Sequence, residues 1–198
     1  MWGQKSSHIL LKGDTPMCKE KIFKLGLVVG RFQLLHNGHI DLVREALKHC
    51  ERVILFVGSS QEDHTKKNPF TYMERVANIR RVFKTKNLII RPLPDAGLGN
   101  TRAWGDYILS QVPKTLGKPD AYFSGSELVR QEWFDEEDMW QIALLKTNDI
   151  SSTKMQGFIL KDQKESWQRN TDEKLWRRYN FIRKRVLEVQ ENKETRSI

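Results

Sequence analysis

The sequence predicts an open, parallel α/β sheet with helices on both faces, followed by a C-terminal helical extension. From Lys21 onward short apolar runs alternate with amphipathic stretches, and the runs are continuously apolar, as strands buried on both faces are. Strands alternating with helices over this length imply βαβ units, and these build parallel sheets.

The first strand runs from Ile22 to Val29 and stops at Gly30. Ile40, Leu42, Val43, Ala46 and Leu47 then recur at helical spacing, which predicts a helix from Gly38 to His49 with one buried face. Val53 to Val57 reads as the second strand. Thr71 stands three residues before Glu74, a capping-box spacing, and opens a helix whose expected stripe is Met73, Val76, Ala77, Val82 and Phe83. Asn87 to Arg91 is the third strand, and a Pro- and Gly-rich loop from Pro92 to Gly99 leads to a helix over Thr101 to Val112. Asp120 to Phe123 and Gln141 to Leu145 supply two more strands. Thr171 to Gln190 is expected as one terminal helix, with Leu175, Tyr179, Ile182, Val186 and Val189 packing on the domain or on a sister subunit. These elements divide the chain into an arm at 1–20, a main domain at 21–160 and an extension at 161–198.

Composition narrows the function classes. The 198 residues are 38% hydrophobic and 30% charged, the pattern of a polar globular protein of one domain plus an appendage. Apolar runs such as Val53 to Val57 fall far short of the roughly 20 residues that span a bilayer, so no membrane partner is expected. Met1 to Glu20 lacks the apolar core of a secretory signal and reads as a flexible arm. Two cysteines, Cys18 and Cys50, make neither a disulfide framework nor a zinc site and suit a reducing cytoplasm. A net charge of +9 points to polyanionic partners, whether nucleic acid, an anionic surface or phosphorylated small molecules.

Motifs discriminate among these. The first strand ends in Gly30-Arg31-Phe32-Gln33-Leu34-Leu35-His36-Asn37-Gly38-His39-Ile40, which places two histidines where a strand turns into a helix. Ligands of open α/β sheets bind beyond the carboxyl ends of strands, and a helix start offers backbone N–H groups to phosphate. His36, His39 and Arg31 add donors there, and Gly38 removes a side chain that would keep a phosphate chain from the backbone. Such a donor set, with a magnesium ion on ATP, suits transfer of a nucleotidyl group, which needs alignment and charge neutralisation rather than an enzyme nucleophile. A zinc site would want three or four protein ligands, and no such set surrounds the histidine pair. His64 lies in a loop and His49 at a helix end, where the dipole favours a cation.

The segment GRFQLLHNGHI resembles the nucleotide-binding signature of nicotinamide-nucleotide adenylyltransferases of the archaeal and bacterial type, within the HxGH nucleotidyltransferase superfamily. Gly58 to Thr65, Asn68 to Thr71 with Glu74-Arg75, Phe123 to Ser126 and Ile150 to Thr153 are similar to later segments of that family, in the same order, over Ile22 to about Leu160. The resemblance implies a Rossmann-like fold and an enzyme that condenses ATP with nicotinamide or nicotinate mononucleotide, releasing pyrophosphate without a covalent enzyme intermediate. It implies that Arg31, His36 and His39 act on the triphosphate, with Gly30, Phe32, Gln33 and Gly38 also in the ATP site. Ser124 and Gly125 would approach the adenosine, and Ser151, Ser152 and Thr153 the phosphates. Lys67 would serve the mononucleotide phosphate, while Asn100 and Trp104 would serve the pyridine ring, a cation attracted to an indole face.

Three positions depart from the family pattern. Leu34 stands where proline is usual. Asn100 lies four residues before Trp104 where three is usual, so Thr101 is an alternative for its place. Gln156 replaces an arginine that grips the triphosphate, and losing one such donor costs on the order of 10²-fold in rate. A related transferase with another phosphorylated substrate, a nucleotide-binding regulator with weak catalysis and, on charge alone, a nucleic-acid binder stay open at this point.

Overall fold

The computed structural model describes residues 8–11, for which only the backbone is given, together with 21–125, 133–135, 139–144 and 150–191. Its centre is one parallel sheet of β1 (His8–Leu11), β2 (Phe23–Gly30), β3 (Cys50–Gly58), β4 (Leu88–Leu93), β5 (Ala121–Ser124) and β6 (Trp140–Leu144). The spatial order is β1-β6-β5-β2-β3-β4, and every neighbouring pair is parallel. β1 lies within the stretch read as an arm, where His8–Leu11 pairs with Gln141–Leu144 at the sheet edge. Cys18, Ser126 and Leu145 lie outside the described residues.

Alternation along the strands sorts the core into two layers. Val28, Val53, Leu55, Val57, Phe123 and Ile142 face one cluster, which also takes Ile40 and Val43 of α1 (Asn37–His49), Ile79 of α2 (Tyr72–Val82) and Met155 of α4 (Ser152–Leu160). Leu25, Leu27, Val29, Ile54, Phe56 and Tyr122 face the other, against Trp104 and Ile108 of α3 (Arg102–Ser110) and against Trp133 and Phe134. Pro92 pairs with Val57 in β4, which is tolerated because β4 is an edge strand.

The C-terminal extension joins the first layer. α5 (Lys164–Arg169) is not signalled by periodicity, since Trp167 is its one buried residue. The single helix expected over Thr171 to Gln190 is instead a 3₁₀ turn at Glu173–Arg178 followed by α6 (Tyr179–Glu191). Its expected stripe of Leu175, Tyr179, Ile182, Val186 and Val189 is buried, and the first four share a core with Trp167, β2 and α1. Among the described residues no helix is long and apolar enough to cross a membrane.

The buried stripe of α2 is the expected one only at its end, where Val82 and Phe83 are buried. Met73 is 68% exposed, and the inward face is Arg75, Asn78, Ile79 and Val82. Polar residues can hold those positions because Arg75 finds carbonyl partners there. Thr71 caps α2 with the full capping box, and Glu74 of that box also accepts from Arg185 of α6 at 2.8 Å.

From the sheet order, the chain winds outward through β3 and β4, then returns to lay β5 and β6 on the other side of β2. The order reverses between β2 and β5, and a crevice at such a reversal, beyond the carboxyl ends of the strands, is where this architecture binds ligands.

Two stability predictions follow from this packing. A Cβ on Gly105 would overlap the Trp133 carbonyl, so Gly105→Ala should cost about 1–3 kcal/mol, read as a lower urea midpoint. For Glu74, burial raises the carboxyl, but the hydrogen bonds from Arg185 and Thr71 outweigh it and hold it below its ordinary value. The folded chain then binds that proton more weakly than the unfolded chain, so the contribution is complete above the ordinary carboxylate value and is lost as pH falls through the lower one. Urea midpoints measured between about pH 7 and about pH 3 should fall less steeply in Arg185→Met than in the parent protein.

Candidate functional site

Two chain reversals at the carboxyl edge of the sheet build the site. After β2 the chain turns at Phe32, with φ 50°, and after β3 it turns at Ser59, with φ 47°. Neither is glycine, and the left-handed region costs such residues about 1 kcal/mol or more unless surrounding contacts hold them there. Arg75 holds both. Its Nη1 donates to the carbonyls of Arg31 at 3.0 Å and Gly58 at 2.8 Å, its Nη2 to Ser59 at 3.0 Å and its Nε to Thr71 at 3.3 Å. The side chain is fully buried, and burial pushes its ionisation down to about 10, which still leaves it charged at neutral pH.

A second tie joins the same loops. The buried Gln33 amide donates to Asn68 Oδ1 at 3.1 Å and accepts the Phe70 N–H at 3.0 Å. Asn68 in turn donates to Glu62 Oε2 at 2.5 Å, and its backbone N–H donates to Thr65 Oγ1 at 3.0 Å. Lys67 sits beside this knot with its side chain exposed, as does Arg31 at the end of β2.

His36 caps α1 and stacks on His39, ring centroids 3.9 Å apart at 25°, with the Phe32 ring 4.9 Å beyond His39. Gly38 leaves room between them: a Cβ there would press on the His36 ring at 3.2 Å and touch Ile150 at 3.7 Å. That approach brings Ile150, and with it Ser151 at the start of α4, against the histidine turn. Ser151 Oγ accepts the Lys154 N–H, so Ser151 caps α4 while Ser152 and Thr153 form its first turn. Val28 pairs with Phe123, and Ser124 then ends β5 at the carboxyl edge of the sheet with Gly125 next in the chain.

The C-terminal extension braces the histidine turn from outside. The Asn37 N–H donates to the Asn170 carbonyl at 2.9 Å, the Asn37 amide to that of Arg169 at 3.2 Å, and the Thr171 hydroxyl to that of Leu35 at 3.0 Å. His39 N–H donates to the His36 carbonyl. The backbone N–H groups of Asn37 and His39 at this helix start are thus committed to protein carbonyls.

Trp104 and Asn100 go with the other face of the sheet. Trp104, in the first turn of α3, is only 9% exposed, with Tyr107 stacked on it at 5.3 Å and Trp133 edge-on at 6.2 Å. Asn100 Oδ1 accepts the Trp133 indole N–H. Gln156 reaches across to the 59–70 loop, its amide donating to the Lys66 carbonyl at 3.4 Å. His64 is exposed beside Asp63, and His49 is buried against Glu45 at 2.7 Å, where it serves packing. Among the described residues no group of three or more His, Cys, Asp or Glu is placed to hold a metal.

Sequence reasoning missed Arg75, the Gln33–Asn68 tie, Trp133 and the Asn170–Thr171 brace. Arg75 had a signal: with Asn78, Ile79 and Val82 it makes an i, i+3, i+4, i+7 stripe whose arginine interrupts the hydrophobic pattern. The Arg169 and Asn170 carbonyls that accept from Asn37, and the Thr171 hydroxyl that donates to Leu35, had none.

Two imidazoles, the Arg31 guanidinium and the Lys67 ammonium thus belong to the segments that follow β2 and β3 at the carboxyl edge of the sheet. The cytidylyltransferase-like family model matches residues 27–157. A nicotinamide-nucleotide adenylyltransferase of Thermococcus kodakarensis is 39% identical over 113 residues, 54% of this chain and 57% of that protein, so the match spans little more than half of the relative. Its counterpart in Thermococcus sibiricus is 34% identical over 145 residues, 70% of this chain and 74% of that protein. In fold, the chain is similar to a bifunctional NMN adenylyltransferase/ADP ribose pyrophosphatase from Francisella tularensis crystallised with AMP and a manganese ion. The TM-score is 0.63 at 22% identity, covering 87% of this chain and 53% of that one.

Proposed function

The chain belongs to the nicotinamide-nucleotide adenylyltransferase family, and we propose that it transfers AMP from ATP to nicotinamide or nicotinate mononucleotide, releasing pyrophosphate. The observation that carries this reading is the stacked His36–His39 pair around Gly38, set at the point where the strand order reverses. A phosphate oxygen of the mononucleotide attacks the α-phosphorus of ATP, a new P–O bond forms, and the bond from that phosphorus to the pyrophosphate oxygen breaks. Pyrophosphate carries away the electron pair, so the enzyme supplies alignment and charge rather than a nucleophile.

In this scheme Arg31, His36 and His39 neutralise the triphosphate, and Ser152 and Thr153 meet it at the start of α4. Magnesium enters on ATP, as part of the substrate, and shields the charge of the phosphates. Ser124 and Gly125 border the adenosine. Phe32 and Gln33 act from beneath, because Phe32 is in the core and both ends of the Gln33 amide are engaged. Lys67 takes the mononucleotide phosphate. Trp104 has one ring face covered by Tyr107, so the pyridine would meet its remaining edge and Asn100. The positive charge serves phosphorylated small molecules rather than nucleic acid, and a cytoplasmic setting suits Cys50, a buried thiol whose ionisation burial raises to about 12.

The test is pyrophosphate release together with mass detection of the dinucleotide from ATP and each mononucleotide; ATP binding without product would favour a regulator and sink the enzyme reading. His39→Ala should lower turnover by about 10²-fold or more with an unchanged circular-dichroism spectrum, and an unchanged rate would remove the histidine pair from the reaction. Gln156→Arg restores a guanidinium beside the triphosphate and should raise kcat, measured in the same assay.

A further inference from the structure

The geometry points to Arg75 as a positioning residue for this reaction: by holding the left-handed turns at Phe32 and Ser59 together, it sets the distance between the ATP side and the mononucleotide side of the crevice. Arg31 immediately precedes the first turn and the histidines follow it, while Lys67 follows the second. The β2–β3 ladder ends at the Gly30–Val57 pair, and beyond it the guanidinium touches the carbonyls of Arg31, Gly58 and Ser59 at 2.8–3.0 Å. A fork with five donors in a fixed plane can bind three carbonyls of two segments at once, which an ammonium cannot do with the same geometry. Its Nε bond to Thr71 anchors the fork at the helix start that carries the capping box, so the reference frame is α2 itself.

The guanidinium is fully buried and acts through the backbone carbonyls it holds. In-line attack tolerates little misalignment, and a displacement of about 1 Å can cost about 10²-fold in rate while leaving binding groups in place. Loss of the fork should therefore appear in kcat more than in either KM, since Arg31, His36, His39 and Lys67 would all remain.

The kinetic part of this inference rests on the adenylyltransferase reading. Arg75→Lys and Arg75→Gln, each assayed beside the parent protein, should lower kcat about 10- to about 100-fold with KM for ATP and for nicotinamide mononucleotide changed less than about threefold. Adding Ser59→Gly to Arg75→Lys should recover part of kcat, because glycine adopts the left-handed turn unaided. Hydrogen–deuterium exchange should quicken at 31–36 and 59–70 but not in α6. A folded variant with parental kcat, a rise confined to KM, unchanged exchange in both loops, or failure of both single variants to fold would each overturn the proposal. A parent protein without turnover would instead sink the adenylyltransferase reading, and the exchange data would still decide the role of Arg75.

Discussion

A guanidinium buried without a carboxylate partner must find acceptors, because leaving such a charge unsatisfied in the interior costs several kcal/mol. In this fold the acceptors are carbonyls at the carboxyl ends of two strands, and that requirement shapes the site. Arg75 can be buried only if the chain after β2 and the chain after β3 both turn back over α2, and those turns can persist at Phe32 and Ser59 only while something holds their carbonyls. Charge and strain stabilise one another. The same turns present Arg31, the histidines and Lys67 to the crevice.

Two further layers of support converge on the histidine turn. From inside, Phe32 packs its ring under His39 while Gln33 ties the turn to Asn68 and Phe70. From outside, Asn170 and Thr171 grip Asn37 and Leu35, and Arg44 pairs with Asp172 at 3.0 Å. The extension is thus continuous with the site it follows in sequence. Its packing against the first core layer fixes the α1 start much as the Arg185–Glu74 pair fixes the α2 start.

How much of this is legible in the sequence depends on the kind of interaction. Strands β2 to β6 and the first helix follow from hydrophobic period, whereas β1 in the stretch read as an arm does not, and the N-cap at Thr71 follows from its spacing to Glu74, because these are local side-chain properties. The histidine turn is also legible, since its residues are contiguous. The stripe of α2 is misread because hydrophobicity alone cannot show that an arginine will be buried by carbonyls 16 and 17 residues earlier in the chain. The Asn170–Thr171 brace is invisible for a like reason: it uses backbone acceptors more than a hundred residues away, and any sequence has those. Trp104 is found by its place in a family motif, yet its burial against Tyr107 and Trp133 depends on the close approach that Gly105 permits.

The central claim is direct transfer at the α-phosphorus, with the protein supplying geometry and charge and no covalent link. The stereochemical course of the reaction tests it most directly. With ATP made chiral at the α-phosphorus by isotopic or sulfur substitution, a single in-line displacement predicts a dinucleotide of inverted configuration. Retention would require two displacements through a covalent enzyme intermediate and would contradict the account.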